Sequence, residues 1–303
     1  MTDLSTRLGP VRLATPLVAA SGTVGSVWEF EQVADLTAYG AAVAKSVSGE
    51  PWAGRPAPRL APAGTGMLNG IGIQNPGIDA WGDETGPRLR TLPVPVWGSA
   101  VGGDPDEFAR VATRLEELGV AAIEINLSCP NLEDGRMFAL DADRSARVVD
   151  EVRSAVDLPI GAKLSPNAER IAVVAGACAT AGADWVVLTN TVWGASIDLE
   201  TRRPALSGTI GGYSGPPIKP VAMRCVIEVR QAHPQLPILG CGGVTSGADV
   251  VEYLLAGASA VGVGTIHFAE PRAGRRILGE LQRWCRAHSV GRVSDLVGGM
   301  VPW

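Results

Sequence analysis

Short apolar runs recur along the chain, and most end in small or polar residues. Val11–Leu13 and Leu17–Ala20 come first, then Ala41–Ala44, Pro95–Ser99, Ala122–Asn126, Leu158–Lys163, Trp185–Thr189, Pro237–Cys241 and Ala260–Val263. The runs are near-continuous rather than alternating, as expected of strands buried on both faces of a parallel sheet. Between them lie stretches with helical spacing: near Glu29–Leu36 and Ile78–Leu89, then Asp104–Leu118, Asp141–Val156, Asn167–Ala181, Lys219–His233, Ala248–Ala256 and Arg272–Ala287. The Asp-Pro-Asp-Glu start at 104 is a helix N-terminus signature. Eight strands alternating with helices predict an α/β fold, a TIM (β/α)8 barrel forming one domain over 1–303. Val11–Leu13 is expected in an N-terminal hairpin that caps one end. A doubly wound sheet would carry its glycine turn after the first strand, whereas here the glycine turns come last. Residues 49–93 and 191–216 interrupt the alternation as long loops rich in Gly, Pro, Ser and Thr. Ordered connections of that length are usually functional.

Polar residues share one register. Ser21, Lys45, Ser99, Asn126 with Cys129, Lys163, Asn190 with Thr191, Gly242-Gly243 and Gly264-Thr265 all follow an apolar strand. In a barrel these positions converge on the face where active sites form. The stretch Glu124–Asn131 ends a strand in one thiol and two carboxamides, with Pro130 stiffening the turn. A buried structural cysteine is the plainer reading of that stretch alone. Lys45 and Lys163 end strands and so do not snorkel from a helix. They belong to buried salt bridges, to a ligand-binding cation pair, or to Schiff-base chemistry. Gly242-Gly243 and Gly264-Thr265 precede helices and suit a phosphate, and Gly211–Gly215 adds a small-residue surface. Asn69, Asn126, Asn131 and Asn190 suit a planar ligand edged with donors and acceptors, although loop Asn is also ordinary turn chemistry. His233 and His288 are expected at the surface, and His267 stands near enough to approach the site. Glu116-Glu117 and Glu133-Asp134 are expected to be solvated.

Composition removes several function classes. The 303 residues carry a net charge of −5 with no basic run, which argues against nucleic acid. Five cysteines (129, 178, 225, 241, 285) include no C-x-x-C pair, so no disulfide framework and no metal site is expected. The start of the chain has no apolar signal core, and the longest uncharged run, Tyr253–Ala269, is broken by Gly and Ser. No membrane association and a cytoplasmic location are therefore expected.

Taken together, the motifs resemble class 1 dihydroorotate dehydrogenases. The likeness rests on Ala20–Thr23, Lys45-Ser46, Met67–Gly77, Asn126–Asn131, Lys163, Asn190–Val192, Gly212–Pro216 with Ile218–Pro220, Gly242-Gly243 and Gly264-Thr265, in the family's order. The resemblance implies an FMN enzyme that oxidises dihydroorotate to orotate in pyrimidine biosynthesis. Cysteine at 129 marks class 1, and the runs at 67–77 and 212–216 look most like subclass 1B. That subclass passes electrons to NAD through a partner subunit carrying FAD and a 2Fe–2S cluster. A homodimer, or a heterotetramer with that partner, is implied. Cys129 then resembles the base for the C5 proton, with the C6 hydride going to flavin N5. Lys45, Asn69, Gly70, Ile71, Gly72, Ile73, Asn126, Asn131, Asn190 and Thr191 resemble the substrate cradle. Ser21, Lys45, Ser46, Ser99, Asn126, Lys163, Thr189, Gly215, Gly242, Gly243, Gly264 and Thr265 resemble the FMN contacts, with Lys163 beside flavin N1 and O2. Three features depart from the pattern: Ser99 replaces Asn, Trp193 replaces a smaller aliphatic, and the Leu132–Leu140 lid is poorer in glycine. The alternatives are a fumarate-reducing homodimer, a Schiff-base lyase using Lys45 or Lys163, and a non-catalytic subunit that has kept an FMN pocket.

Overall fold

The computed structural model describes residues 2–127 and 137–301. Eight parallel strands close into a barrel: β1 (Leu17–Ala19), β2 (Ala41–Val43), β3 (Val96–Ala100), β4 (Ala122–Asn126), β5 (Ile160–Lys163), β6 (Trp185–Leu188), β7 (Ile238–Cys241) and β8 (Ala260–Val263). Neighbours around the barrel follow chain order, and β8 pairs with β1. Every position in these strands is buried except Asn126 and Cys241, which end β4 and β7. This burial on both faces is why the strands read as unbroken apolar runs.

Helices cover the outside. The best-formed are Pro105–Leu118 and Ala142–Ala155. Each begins on an aspartate whose carboxylate accepts a backbone N–H three residues on: Asp104 from Glu107 at 2.8 Å, and Asp141 from Arg144 at 2.9 Å. Pro105–Leu118 stops at Gly119, whose φ of 87° is the left-handed conformation that ends a helix.

Inside the barrel the N-terminal half is filled. The hairpin Thr6–Leu8/Val11–Leu13 plugs that end, and its Leu8 and Leu13 join Val18, Val43, Trp97, Trp185, Val187 and Leu239 in one core cluster. The Trp97 and Trp185 rings lie 5.1 Å apart between centroids. Gly161 on β5 makes room for the Trp185 indole, because a Cβ there would overlap it. With this end packed shut, the barrel's large cavity lies at the carboxyl ends of the strands.

The two long segments are not simple loops. Leu60–Ala63, Gly66–Asn69, Gly211–Ser214 and Val192–Gly194 form a four-stranded antiparallel sheet in the order Val192–Gly194, Gly211–Ser214, Gly66–Asn69, Leu60–Ala63. A smaller ribbon pairs Ile197–Asp198 with Arg203–Pro204. Other expectations shift locally. The helix expected near Glu29–Leu36 splits into Trp28–Glu31 and a 3-10 turn at Leu36–Ala38. The one near Ile78–Leu89 is α-helical only over Ile78–Thr85, with a 3-10 stretch from Gly86, where Pro87 follows.

Two groups expected at the surface are engaged. His233 bonds the Ala172 carbonyl at 2.8 Å, and its ring packs where Gly176 leaves space. Glu116 accepts the N–H groups of Asp157 and Leu158 at 2.9 and 3.0 Å, which ties the approach to β5 onto helix Pro105–Leu118. Glu133 and Asp134 lie outside the described residues. Among the described residues no helix is long and apolar enough to cross a membrane, and no group of three or more His, Cys, Asp or Glu could hold a metal.

Gly161→Ala is expected to overpack the interior and lower stability by about 1–3 kcal/mol. The midpoint of urea unfolding measures it.

Candidate functional site

A cavity of about 1120 Å3 opens at the carboxyl ends of the barrel strands, and the four-stranded sheet contributes to its wall. Strand ends supply Ser21 after β1, Lys45 and Ser46 after β2, Asn126 on β4 and Lys163 on β5. Thr189, Asn190 and Thr191 follow β6, Gly242 and Gly243 follow β7, and Gly264 and Thr265 follow β8. Asn69, the turn Gly70–Ile73 and Gly215 come from the sheet and its margins. Residues drawn from most of the chain are thus gathered on one wall, as their shared register implies.

Ser99 departs from this. It is fully buried one layer deeper, and its hydroxyl lies 2.8 Å from that of Ser46. It is not among the described residues that line the cavity, and its hydroxyl reaches that of Ser46, which is. Cys129 and Asn131 lie outside the described residues, as does the lid from Leu132 to Arg136. Of the remainder of that segment, Met137 lines the cavity and Phe138–Leu140 is a 3-10 turn.

The carboxamides are linked before any ligand enters. Asn190 donates to Asn126 at 3.4 Å, and Asn126 donates to Ser46 at 3.1 Å. Asn190 also accepts the Thr191 N–H at 2.8 Å, and Asn69 donates to the Gly212 carbonyl at 3.1 Å. Thr189 differs. Its hydroxyl is buried in the cavity wall with no hydrogen-bond partner among the described residues. A buried hydroxyl in that state is costly unless a ligand satisfies it.

Three cations line the cavity, Lys45, Arg55 and Lys163, and no carboxylate among the described residues does. The Lys163 ammonium lies 3.3 Å from Glu124, and both side chains are buried. Burial alone would push Lys163 down, but the Glu124 carboxylate and the field of Cys241 outweigh it, and the net shift is upward. Burial raises the Cys241 thiol even against the pull of Lys163. Glu124 was not singled out from sequence, although a carboxylate inside an apolar strand signals a buried charge that needs a partner. Arg55 was also missed. Its side chain donates to Ile210 and its backbone to Ile71, at 2.9 and 3.0 Å, bridging the two long connections over the cavity.

The glycine turns form a backbone-lined edge. Gly215, Gly242 and Gly243 have φ of 95°, 146° and 68°. A Cβ on Gly243 would come within 2.8 Å of Lys219 Cβ and 2.9 Å of the Gly215 carbonyl oxygen. The next helix starts at Gly247, and several N–H groups at its start are already engaged. Asp249 accepts from Thr245 and Ser246, both at 2.8 Å, and Glu280 accepts from Gly247 at 2.8 Å. The helix after β8 is a single turn, Ile266–Ala269. An anion at this edge would be held by the turns themselves.

His267 is a brace and does not face the cavity. It is buried, with Nδ1 3.0 Å from the Thr23 hydroxyl and Nε2 2.7 Å from the Tyr39 hydroxyl. Thr23 commits its one proton to the Ala20 carbonyl at 2.8 Å. His267 Nδ1 must therefore donate, and Nε2 accepts from Tyr39. Burial takes its pKa down to about 4, so it stays neutral and fixes the loop Ala20–Thr23 on the cavity wall.

A closed barrel with a glycine-edged, cation-lined cavity at its carboxyl face defines a barrel enzyme site for an anionic, hydrogen-bonding ligand. The family model described as dihydroorotate dehydrogenase matches residues 3–284. A Pelobacter propionicus protein named dihydroorotate dehydrogenase B (NAD(+)), catalytic subunit, is 45% identical over 300 residues, covering 98% of each chain. A Geobacter sulfurreducens protein of the same name is 43% identical with the same coverage. The crystal structure of an Eimeria tenella DHODH in complex with ferulenol shares the fold, with a TM-score of 0.82 at 21% identity over 98% of this chain and 88% of that one. The chain belongs to the dihydroorotate dehydrogenase family, whose members are flavin-dependent oxidoreductases.

The Asp249 cluster carries a pH signature. Burial would raise its carboxyl, but bonds from Lys219, Thr245 and Ser246 outweigh this and hold it below the ordinary carboxylate value. Its stabilising effect is therefore complete above the unfolded value and lost as pH falls through the folded one. Asp249→Asn should cost about 1–2 kcal/mol at neutral pH. The gap in melting temperature from wild type should close below about pH 4.

Proposed function

We propose that this chain is the catalytic subunit of an NAD-linked dihydroorotate dehydrogenase, a single FMN-binding domain over 1–303. It oxidises (S)-dihydroorotate to orotate in pyrimidine biosynthesis and works in the cytoplasm. The observation that carries this reading is the convergence of cations, linked carboxamides and glycine turns on one cavity, with no carboxylate among the described residues that line it.

The residues present suit FMN. The unpartnered Thr189 hydroxyl calls for a ligand atom, the glycine edge admits no side chain, and the cations suit phosphate and a reduced, anionic ring. Ser21, Lys45, Ser46, Asn126, Lys163, Thr189, Gly215, Gly242, Gly243, Gly264 and Thr265 would hold it, with Ser99 supporting Ser46. Bound FMN supplies the acceptor for the hydride from C6 of the substrate. Lys45, Asn69, Gly70, Ile71, Gly72, Ile73, Asn126, Asn131, Asn190 and Thr191 would cradle the substrate ring, and their carboxamides match its alternating C=O and N–H groups. Cys129 would take the C5 proton as thiolate, so turnover should rise with pH towards about 8.5 unless its surroundings shift it. Lys163 offers fixed positive charge where negative charge develops.

Electrons would leave to NAD through a separate subunit carrying FAD and 2Fe–2S, in a homodimer-centred assembly or heterotetramer. The words "catalytic subunit" in the relatives' names support a separate partner. A Schiff-base role for Lys163 is opposed by its ion pair, because an amine held charged is a poor nucleophile.

The acceptor profile tests this reading. The purified chain with dihydroorotate should reduce NAD only after the FAD/2Fe–2S subunit is added. Fumarate reduction by the chain alone would move it to the homodimeric subclass, and borohydride trapping of a lysine adduct in a flavin-free protein would overturn the reading. Cys129→Ala should lower kcat by about 10²–10⁴-fold and leave bound flavin unchanged. Full activity in that variant would remove Cys129 from the chemistry.

A further inference from the structure

Glu124 sits within the barrel and off the cavity wall, two residues before Asn126 on β4. Across the β4–β5 ladder, Asn126 is level with Lys163 and Glu124 with Gly161. The Trp185 indole takes the space beside Gly161, and the Glu124 carboxylate meets the Lys163 ammonium at 3.3 Å. Glu124 is 2% exposed, with the Trp97, Trp185, Val187 and Leu239 layer in the same barrel interior.

A buried ion pair is poor value as a stabilising device. Two desolvated charges seldom beat a well-packed apolar pair of the same volume, whereas losing one partner strands the other. The Trp97–Trp185 layer is apolar, and Ser99, level with Glu124 on β3, is neutral, so a charged pair needs another reason. Lysine itself is scarce. The chain has only three, at 45, 163 and 219, and arginine supplies its other cations. Two of the three line the cavity. Lysine, unlike arginine, loses its proton readily when buried. A lysine required as a cation there needs an anion to hold the proton. Among the described residues, the titratable groups acting on Lys163 are Glu124 on β4 and Cys241 on β7. Burial raises the Cys241 thiol, and Glu124 is the carboxylate in contact with the ammonium, at 3.3 Å.

We propose that Glu124 is a positioning residue that keeps Lys163 as a fixed ammonium in the cavity wall, and so sets the charge that a bound cofactor meets on reduction. The first half stands on the pair itself, and the second rests on the FMN reading.

Three lysines make the test direct. Protein labelled with 13C at lysine Cε gives three signals, assigned with Lys219→Arg and Lys163→Met. In wild type, Lys163 should keep its ammonium shift to about pH 10. In Glu124→Gln its proton should become at least about a hundredfold more acidic, and Glu124→Asp should restore much of the wild-type behaviour. A Lys163 still charged at about pH 10 in Glu124→Gln, or neutral at about pH 8 in wild type, overturns the proposal. The wild-type arm decides even if the Gln variant does not fold. In flavin-loaded protein, the midpoint potential of Glu124→Gln should fall below that of wild type as pH rises through the Lys163 titration. Parallel potential–pH curves overturn the cofactor half. A protein that binds no flavin sinks the FMN reading and leaves the lysine titration to judge Glu124.

Discussion

Closure of the barrel is the constraint on which everything else depends. Eight parallel strands paired edge to edge leave no free edge and one enclosed interior. The hairpin Thr6–Leu8/Val11–Leu13 and the Trp97–Trp185 pair fill the amino-terminal half of that interior. Polar side chains on the inner face are then tolerable only towards the other end, where ligand or solvent can satisfy them. Within the eight barrel strands, Asn126 and Cys241 are the only residues that are not buried, and both stand at that end.

Charge follows the same logic. The protein is acidic overall, yet its cavity is lined by three cations without a carboxylate among the described residues. The acid that balances Lys163 is withdrawn one layer, to Glu124, and the acids near the glycine edge are turned away. Asp249 and Glu280 cap the helix from Gly247, and Asp249 holds Lys219 at 2.6 Å. The field in the cavity is therefore positive while the buried charges remain paired, an arrangement suited to a ligand that brings phosphate and gains electrons.

Much of this was legible in the sequence because burial on both faces leaves a plain signature. The eight barrel strands appear as apolar runs, and the polar residues ending them share one register, so the fold and the membership of the site emerge together. The four-stranded sheet was hidden for physical reasons. Its strands are short and rich in Gly, and its pairs join distant residues, Asn69 with Gly212 for example, so no local periodicity announces it. Depth was hidden as well. Ser99 reads like Ser46, yet lies behind it, because a strand register gives the face of a side chain and not its layer. Partnerships were hidden most of all. Glu116, His233 and His267 look generic in sequence and are committed to particular backbone or hydroxyl groups in the fold. The Glu124–Lys163 pair needs the barrel's register before either residue points to the other.

We propose that this cavity joins a flavin to dihydroorotate. Anaerobic addition of dihydroorotate to the purified chain, without any partner subunit, tests it most directly. The protein is expected to be isolated with about one FMN per chain, and its oxidised-flavin absorbance to bleach with stoichiometric formation of orotate. A protein that carries no flavin, or whose flavin stays oxidised with dihydroorotate in excess, would contradict it.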